Sequence, residues 1–155
     1  MPVEKKQLKP GDLAPNFELP NSDNVNISLQ DFAGFVVVLY FYPKDNTPGC
    51  TLEATDFTGL KAEFAAKGAI VIGVSKDSPA SHQKFIDSKS LDVVLLSDKD
   101  NAVAKKYHAF GKKMMYGKEV EGVIRSTFII KDGKVDKAFY NVKTKGHALE
   151  VLNSI

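Results

Sequence analysis

The sequence predicts an α/β fold: a central mixed β-sheet, mostly parallel and flanked by helices, that ends in an antiparallel pair and is preceded by an N-terminal β-hairpin. Three observations carry that expectation. Residues 35–42 and 69–75 are uninterrupted apolar, β-branched and aromatic runs, the composition of strands buried on both faces. Segments of helical period stand between and after such runs, and strand-helix-strand alternation demands parallel pairing with helices on the sheet. Asp132-Gly133, between two apolar stretches, is the strongest short hairpin signal in the chain.

Each element follows in order. Residues 15–19 and 25–29 alternate apolar and polar side chains around the turn-rich residues 20–24, a small hairpin. The run that begins at Phe35 stops at Pro43 and reads as the central strand. After Thr47-Pro48-Gly49-Cys50, Phe57, Leu60 and Phe64 recur at i, i+3 and i+7, and Lys67-Gly68 closes one helix. Residues 69–75 form the second strand, and Ser78-Pro79 starts a helix that carries Phe85 and Ile86. Residues 91–96 read as the third strand. Residues 100–110 read as a short helix through Val103, Ala104 and Tyr107, and residues 111–122, with Met114, Met115 and Tyr116, as a loop. Residues 123–131 and 134–142 are the antiparallel strands. Ala148, Val151, Leu152 and Ile155 make one face of a final amphipathic helix.

One domain, residues 1–155, is expected, because this length buries a sizeable core without staples and no repeat or linker interrupts it. A net charge of +2, with lysines scattered and no basic helix interleaved with aromatics, gives no nucleic-acid footprint. No segment approaches the roughly 20 apolar residues of a membrane span, and the first residues carry charges where a signal peptide needs an apolar core. A lone thiol persists best in a reducing compartment, so the expected location is cytoplasmic. His82, His108 and His147 have no ligand spacing and read as exposed; no metal or other cofactor is expected.

The chemistry concentrates at Cys50, the single cysteine. Thr47 suits an N-cap and Pro48 the first helical position, so Gly49 and Cys50 fall in the first turn, where backbone N–H groups lack intrahelical partners. The helix dipole and those donors favour a thiolate there, and Gly49 lets a small molecule approach the backbone beside the sulfur. Arg125 is the sole arginine among 21 basic residues. Compositional bias explains that count as well as a need for the planar, many-donor guanidinium does, but its place at the head of a buried strand favours a role.

The run from Phe41 to Glu53, Phe-Tyr-Pro-Lys-Asp-Asn-Thr-Pro-Gly-Cys-Thr-Leu-Glu, resembles the active-site loop of the peroxiredoxins, most closely the bacterioferritin comigratory protein (PrxQ) subfamily. Leu13-Ala14-Pro15-Asn16-Phe17, Met115-Tyr116-Gly117-Lys118 and Arg125-Ser126-Thr127-Phe128-Ile129-Ile130 resemble further motifs of that family. The resemblance implies a thioredoxin-like fold and a thiol-dependent peroxidase that reduces hydrogen peroxide and organic hydroperoxides in antioxidant defence. It implies Cys50 as nucleophile, Thr47 as hydrogen-bonding partner of the peroxide, Pro43 as shield, Arg125 as support of the thiolate and transition state, and Glu53 as the residue that orients the arginine. A resolving cysteine common in the subfamily is replaced by Thr55, and the helix after Pro79, its other usual location, offers only serines. The cycle expected is therefore of the single-cysteine type, in which an external thiol, thioredoxin, glutaredoxin or glutathione, reduces a sulfenic acid. The subfamily resemblance suits a monomer or weak homodimer. A thioredoxin-type disulfide oxidoreductase would need a second cysteine; a redox sensor or chaperone-like binding module would not turn over peroxide in excess.

Overall fold

A computed structural model describes residues 7–115 and 117–155, with residues 114 and 115 described by backbone alone. The chain opens with β1 (Glu18–Pro20) and β2 (Asn26–Ser28), an antiparallel hairpin, and enters the main sheet at β3 (Val36–Phe41). Helices α1 (Pro48–Gly59) and α2 (Lys61–Ala66) lead to β4 (Ala69–Ser75), then α3 (Pro79–Lys89), β5 (Val94–Ser97) and α4 (Ala102–Lys106). A second hairpin, β6 (Phe110–Met115) and β7 (Lys118–Val123), precedes β8 (Ser126–Lys131), β9 (Lys134–Phe139) and α5 (His147–Asn153).

The main sheet has the order β5-β4-β3-β8-β9. Strand β3 is central, parallel to β4 and antiparallel to β8. Its pleat sorts the core: Val37, Leu39 and Phe41 face a layer with Val103, Ala104 and Tyr107, whereas Val38, Tyr40 and Tyr42 face Ala54, Phe57, Phe64, Phe85 and Val151. Helices α1, α2, α3 and α5 thus cover one face, and α4 with the N-terminal segment covers the other. The Asp132-Gly133 turn has φ of 51° and 76°, the left-handed pair expected of a two-residue hairpin.

Four expectations need correction. The helix drawn through to Lys67 breaks at Leu60 (φ −104°, ψ 10°), directly after Gly59, where a residue of low helix propensity lets the last carbonyls of α1 share one N–H. Residues 111–122 form a hairpin rather than a loop. Apolar residues are sparse there, and the strands are joined through Gly117 at φ 77° and faced with lysine and glutamate, including a Lys112–Glu119 pair at 3.8 Å. The strand expected from residue 123 begins at Ser126, leaving Ile124 and Arg125 in the link from β7. Finally, His82 (0%) and His147 (2%) are buried, and His108 is half-buried. His82 lies one turn before Phe85 on the inward face of α3; His147 packs edge-on against the Phe57 and Phe139 rings and meets Thr127 Oγ1 at 2.8 Å. Of the Met115-Tyr116-Gly117-Lys118 motif, the side chain of Met115 and all of Tyr116 lie outside the described residues, as does the Met114 side chain.

Candidate active site

Strand pairing creates the site. Phe41, the last residue of β3, is opposite Ser126, the first of β8, so the chain leaving β3 toward α1 passes beside Arg125. The Val142 N–H donates to the Arg125 carbonyl at 2.9 Å and fixes the backbone there. Helix α1 then places Cys50 at its third position and Glu53 one turn later on the same side.

Arg125 bridges both. Its Nη1 donates to Glu53 Oε1 at 2.7 Å and its Nη2 to Cys50 Sγ at 3.3 Å. The sulfur lies in the apolar cluster with Tyr40, Ala54 and Phe57, and Cys50 is 1% exposed, yet the guanidinium reaches it from the side that remains partly open. Gly49 makes this approach feasible: a Cβ there would stand 3.2 Å from Arg125 Nη2 and 3.7 Å from Thr144 Cγ2.

Electrostatics in the cluster are set by burial and by the one guanidinium. Burial pushes the Glu53 carboxyl up to about 7, against the opposing pull of Arg125, and Glu53 Oε2 has no hydrogen-bond partner among the described residues. Burial works in the other direction on Arg125, but the charges of Glu53 and Cys50 outweigh it and hold the guanidinium above its ordinary value. The partners differ because the Glu53 side chain is fully enclosed while that of Arg125 remains 17% exposed. A positive charge is thereby kept beside the sulfur.

The other expected site residues fall around this pair. Thr47 occupies the N-cap position, but its hydroxyl donates to the Lys44 carbonyl at 3.0 Å instead of capping the helix, which leaves its oxygen lone pairs free to accept. Among the described residues no acceptor takes the Gly49 and Cys50 N–H groups, and the first intrahelical bond runs from Thr51 N–H to Thr47 O. Pro43 directly follows Tyr42 at the exit of β3 and is half-buried. Thr55 turns its hydroxyl back onto the Thr51 and Leu52 carbonyls.

Sequence reasoning missed two groups here. Lys113 on β6 donates to the Val123 carbonyl at 2.7 Å; burial and the charge of Arg125 lower its affinity for a proton while Cys50 opposes them, so a second cation belongs to the same electrostatic neighbourhood. Tyr40 Oη is buried on the Cys50 face of the sheet with no hydrogen-bond partner among the described residues, packed where a Cβ on Gly73 would come within 2.8 Å. The lysine was indistinguishable from its many solvated neighbours, whereas the tyrosine's inward face followed from strand alternation.

Residues 10–138 match the AhpC/TSA family, and the chain belongs to it, in the peroxiredoxin group of bacterioferritin comigratory proteins. A bcp protein of Helicobacter pylori strain J99 is 60% identical over 151 residues, covering 97% of this chain and 99% of that protein. Peroxiredoxin Bcp of Escherichia coli K12 is 40% identical over 147 residues, 94% of each chain. Among solved structures, Xanthomonas campestris bacterioferritin comigratory protein, studied for its alkyl peroxide reduction, matches with a TM-score of 0.84 at 42% identity over 89% of this chain and 88% of that one. The Xylella fastidiosa PrxQ reaches a TM-score of 0.89 at 38% identity over 96% and 95%. The fold is thioredoxin-like, and the chain is a thiol-dependent peroxidase: its substrate class is a peroxide and its reductant a thiol. No helix among the described residues is long and apolar enough to cross a membrane.

Proposed function

We propose that Cys50 is the peroxidatic nucleophile and that the enzyme, a single domain over residues 1–155, works by a one-cysteine cycle on hydrogen peroxide and organic hydroperoxides. The observation that carries the assignment is the 3.3 Å contact between Arg125 Nη2 and Cys50 Sγ at the opening of α1. The thiolate lone pair forms an S–O bond to one peroxide oxygen, the O–O bond breaks, and its electrons leave on the other oxygen, which takes a proton and departs as water or alcohol. Arg125 and the free Gly49 and Cys50 N–H groups supply fixed donors for the charge that moves onto the leaving oxygen, Thr47 accepts a hydrogen bond from the peroxide, and Pro43 shields the loop.

The sequence supplies no second cysteine, so the Cys50 sulfenic acid condenses with an external thiol, releasing water, and a second thiol frees Cys50 from that mixed disulfide. Thioredoxin, glutaredoxin and glutathione are the candidate reductants, the cytoplasm is the matching compartment, and a monomer or weak homodimer is the matching assembly. Continuous peroxide consumption in separate assays with each reductant tests the cycle. Many turnovers per enzyme are expected with at least one, and none with Cys50→Ser. A single stoichiometric oxidation with all three would refute the catalytic cycle, and unchanged turnover in Cys50→Ser would refute the nucleophile.

A further inference from the structure

The loop that joins β3 to α1 carries Pro43 at one end and Thr47 at the other, and it is held by a buried polar cluster that, among the described residues, shares no hydrogen bond with Cys50 or Arg125. Asp45, midway along the loop and 6% exposed, is its centre. Its carboxylate accepts from Tyr42 Oη at 2.6 Å and from Ser81 Oγ at 2.9 Å, and it meets His82 Nδ1 at 2.8 Å. The other ring nitrogen of His82, Nε2, lies 3.0 Å from the Leu96 carbonyl, an acceptor only. Both ring nitrogens therefore face oxygen acceptors, and the contacts are complete when Nε2 carries a proton and another lies between Nδ1 and Asp45 Oδ2. The Asp45 N–H donates to Asp77 Oδ2 at 2.8 Å, and that same oxygen accepts from Ser75 Oγ at 2.7 Å.

The loop between β3 and α1 is therefore bound to three other pieces of the fold: the β4–α3 connection through Asp77, helix α3 through Ser81 and His82, and the end of β5 through the Leu96 carbonyl. Asn46, next in sequence, takes a left-handed conformation at φ 61°, so Asp45 sits where the chain reverses toward Thr47. A well-packed surface would secure the loop with apolar contacts. A fully enclosed histidine and carboxylate instead specify one position, since any displacement strands buried polar groups.

We propose that His82 and Asp45 are positioning residues for peroxide attack: their pair sets the loop that carries Pro43 and Thr47 and hence the first turn of α1 at which Cys50 reacts. This rests on the assignment of Cys50 as nucleophile. The pair acts on the oxidation step, in which the loop must present its donors and acceptors in register, and not on reduction of the oxidised sulfur by a small thiol.

The test separates the two half-reactions in the full-length enzyme. Oxidation of reduced protein by hydrogen peroxide is followed by rapid quench and mass spectrometry of Cys50, and reduction of the oxidised protein is followed with dithiothreitol. Peroxide consumption by wild type but not by Cys50→Ser, measured alongside, establishes the nucleophile independently of the loop. His82→Gln and Asp45→Asn are each expected to slow oxidation roughly 10- to 100-fold, the loss seen when a positioned hydrogen-bonding group is misplaced, with dithiothreitol reduction within twofold of wild type. The double variant should be no slower than the slower single, because the two side chains are halves of one device. Unchanged oxidation, equal losses in both half-reactions, or multiplicative losses in the double variant would each overturn the proposal. Ser81→Ala removes only one hydrogen bond to Asp45 and keeps the ring, so it serves if His82→Gln does not fold. A several-fold slower oxidation is expected of it, and a wild-type rate would overturn the proposal equally.

Discussion

Replacing Arg125 by lysine keeps a charge and removes a geometry. In the structure Nη1 lies 2.7 Å from Glu53 Oε1 while Nη2 lies 3.3 Å from Cys50 Sγ, and one ammonium cannot occupy both places. The fully enclosed Glu53, with one oxygen already unpartnered, makes the stronger claim on it. Cys50 then loses a charge-assisted donor, a contact of about 1.5–3 kcal/mol. At about 1.4 kcal/mol per decade this is a roughly 10- to 150-fold slower attack on peroxide. Stability should change by no more than about 1 kcal/mol, because the buried carboxylate remains paired; removing its partner altogether costs about 3–5 kcal/mol. The chain has no tryptophan, so single-turnover oxidation is best read by quenching and counting free Cys50 thiol by mass, with urea unfolding in parallel. An Arg125→Lys enzyme that retains half or more of the wild-type second-order rate would show that the fork contributes nothing. One that loses several kcal/mol of stability would show that lysine does not serve Glu53.

Three further expectations concern the frame around the site. The Glu53 carboxyl, raised to about 7 by burial, stabilises the fold fully below its ordinary value of 4.5 and loses that contribution as pH rises through about 7. Urea unfolding from pH 4.5 to 8 should therefore show a decline of up to about 3 kcal/mol in wild type that is absent in Glu53→Gln; parallel curves would contradict it. His147 behaves in the opposite sense, since burial lowers its affinity for a proton, so its contribution is present above about 6.5 and is lost as pH falls through its depressed folded value. Thermal unfolding of His147→Asn should accordingly fall less between pH 7 and pH 5 than that of wild type. Gly73→Ala places a Cβ 2.7 Å from Tyr40 Cζ and 2.8 Å from Leu95 Cδ2, and overpacking of this kind against two side chains that are each 1% exposed should cost about 1–3 kcal/mol in chemical denaturation.

Much of the architecture was legible because its signals are local. The buried runs of β3 and β4, the Asp132-Gly133 turn and the Thr47-Pro48 helix start each state their structure within a few residues, and each stands where expected. The β6–β7 hairpin was not legible, because its strands are faced with lysine and glutamate and carry no apolar alternation. The arginine–cysteine contact was anticipated from the motif, but the burial of His82 was not. The three-residue step from His82 to Phe85 was visible in the sequence, yet a histidine is read as surface until its acceptors are known, and these come from Asp45 and Leu96, 37 and 14 residues away. Thr47 marks the same limit on a smaller scale. Its type and place predict a cap, and the local turn of the loop gives its hydroxyl to the Lys44 carbonyl, three residues back, instead.

The near-complete enclosure of Cys50 orders the enzyme's two encounters in time. A hydroperoxide is a thin rod whose terminal oxygen needs only a crevice, whereas a protein thiol arrives on a broad surface and must bring its own sulfur to within about 2 Å of the target to form a disulfide. With α1 wound, Cys50 is 1% exposed and offers a protein thiol no surface on which to seat. The interruption at Leu60 divides the helical run in two, so that the turn carrying Cys50 belongs to α1 while Phe64 belongs to α2, and both side chains sit in one apolar cluster.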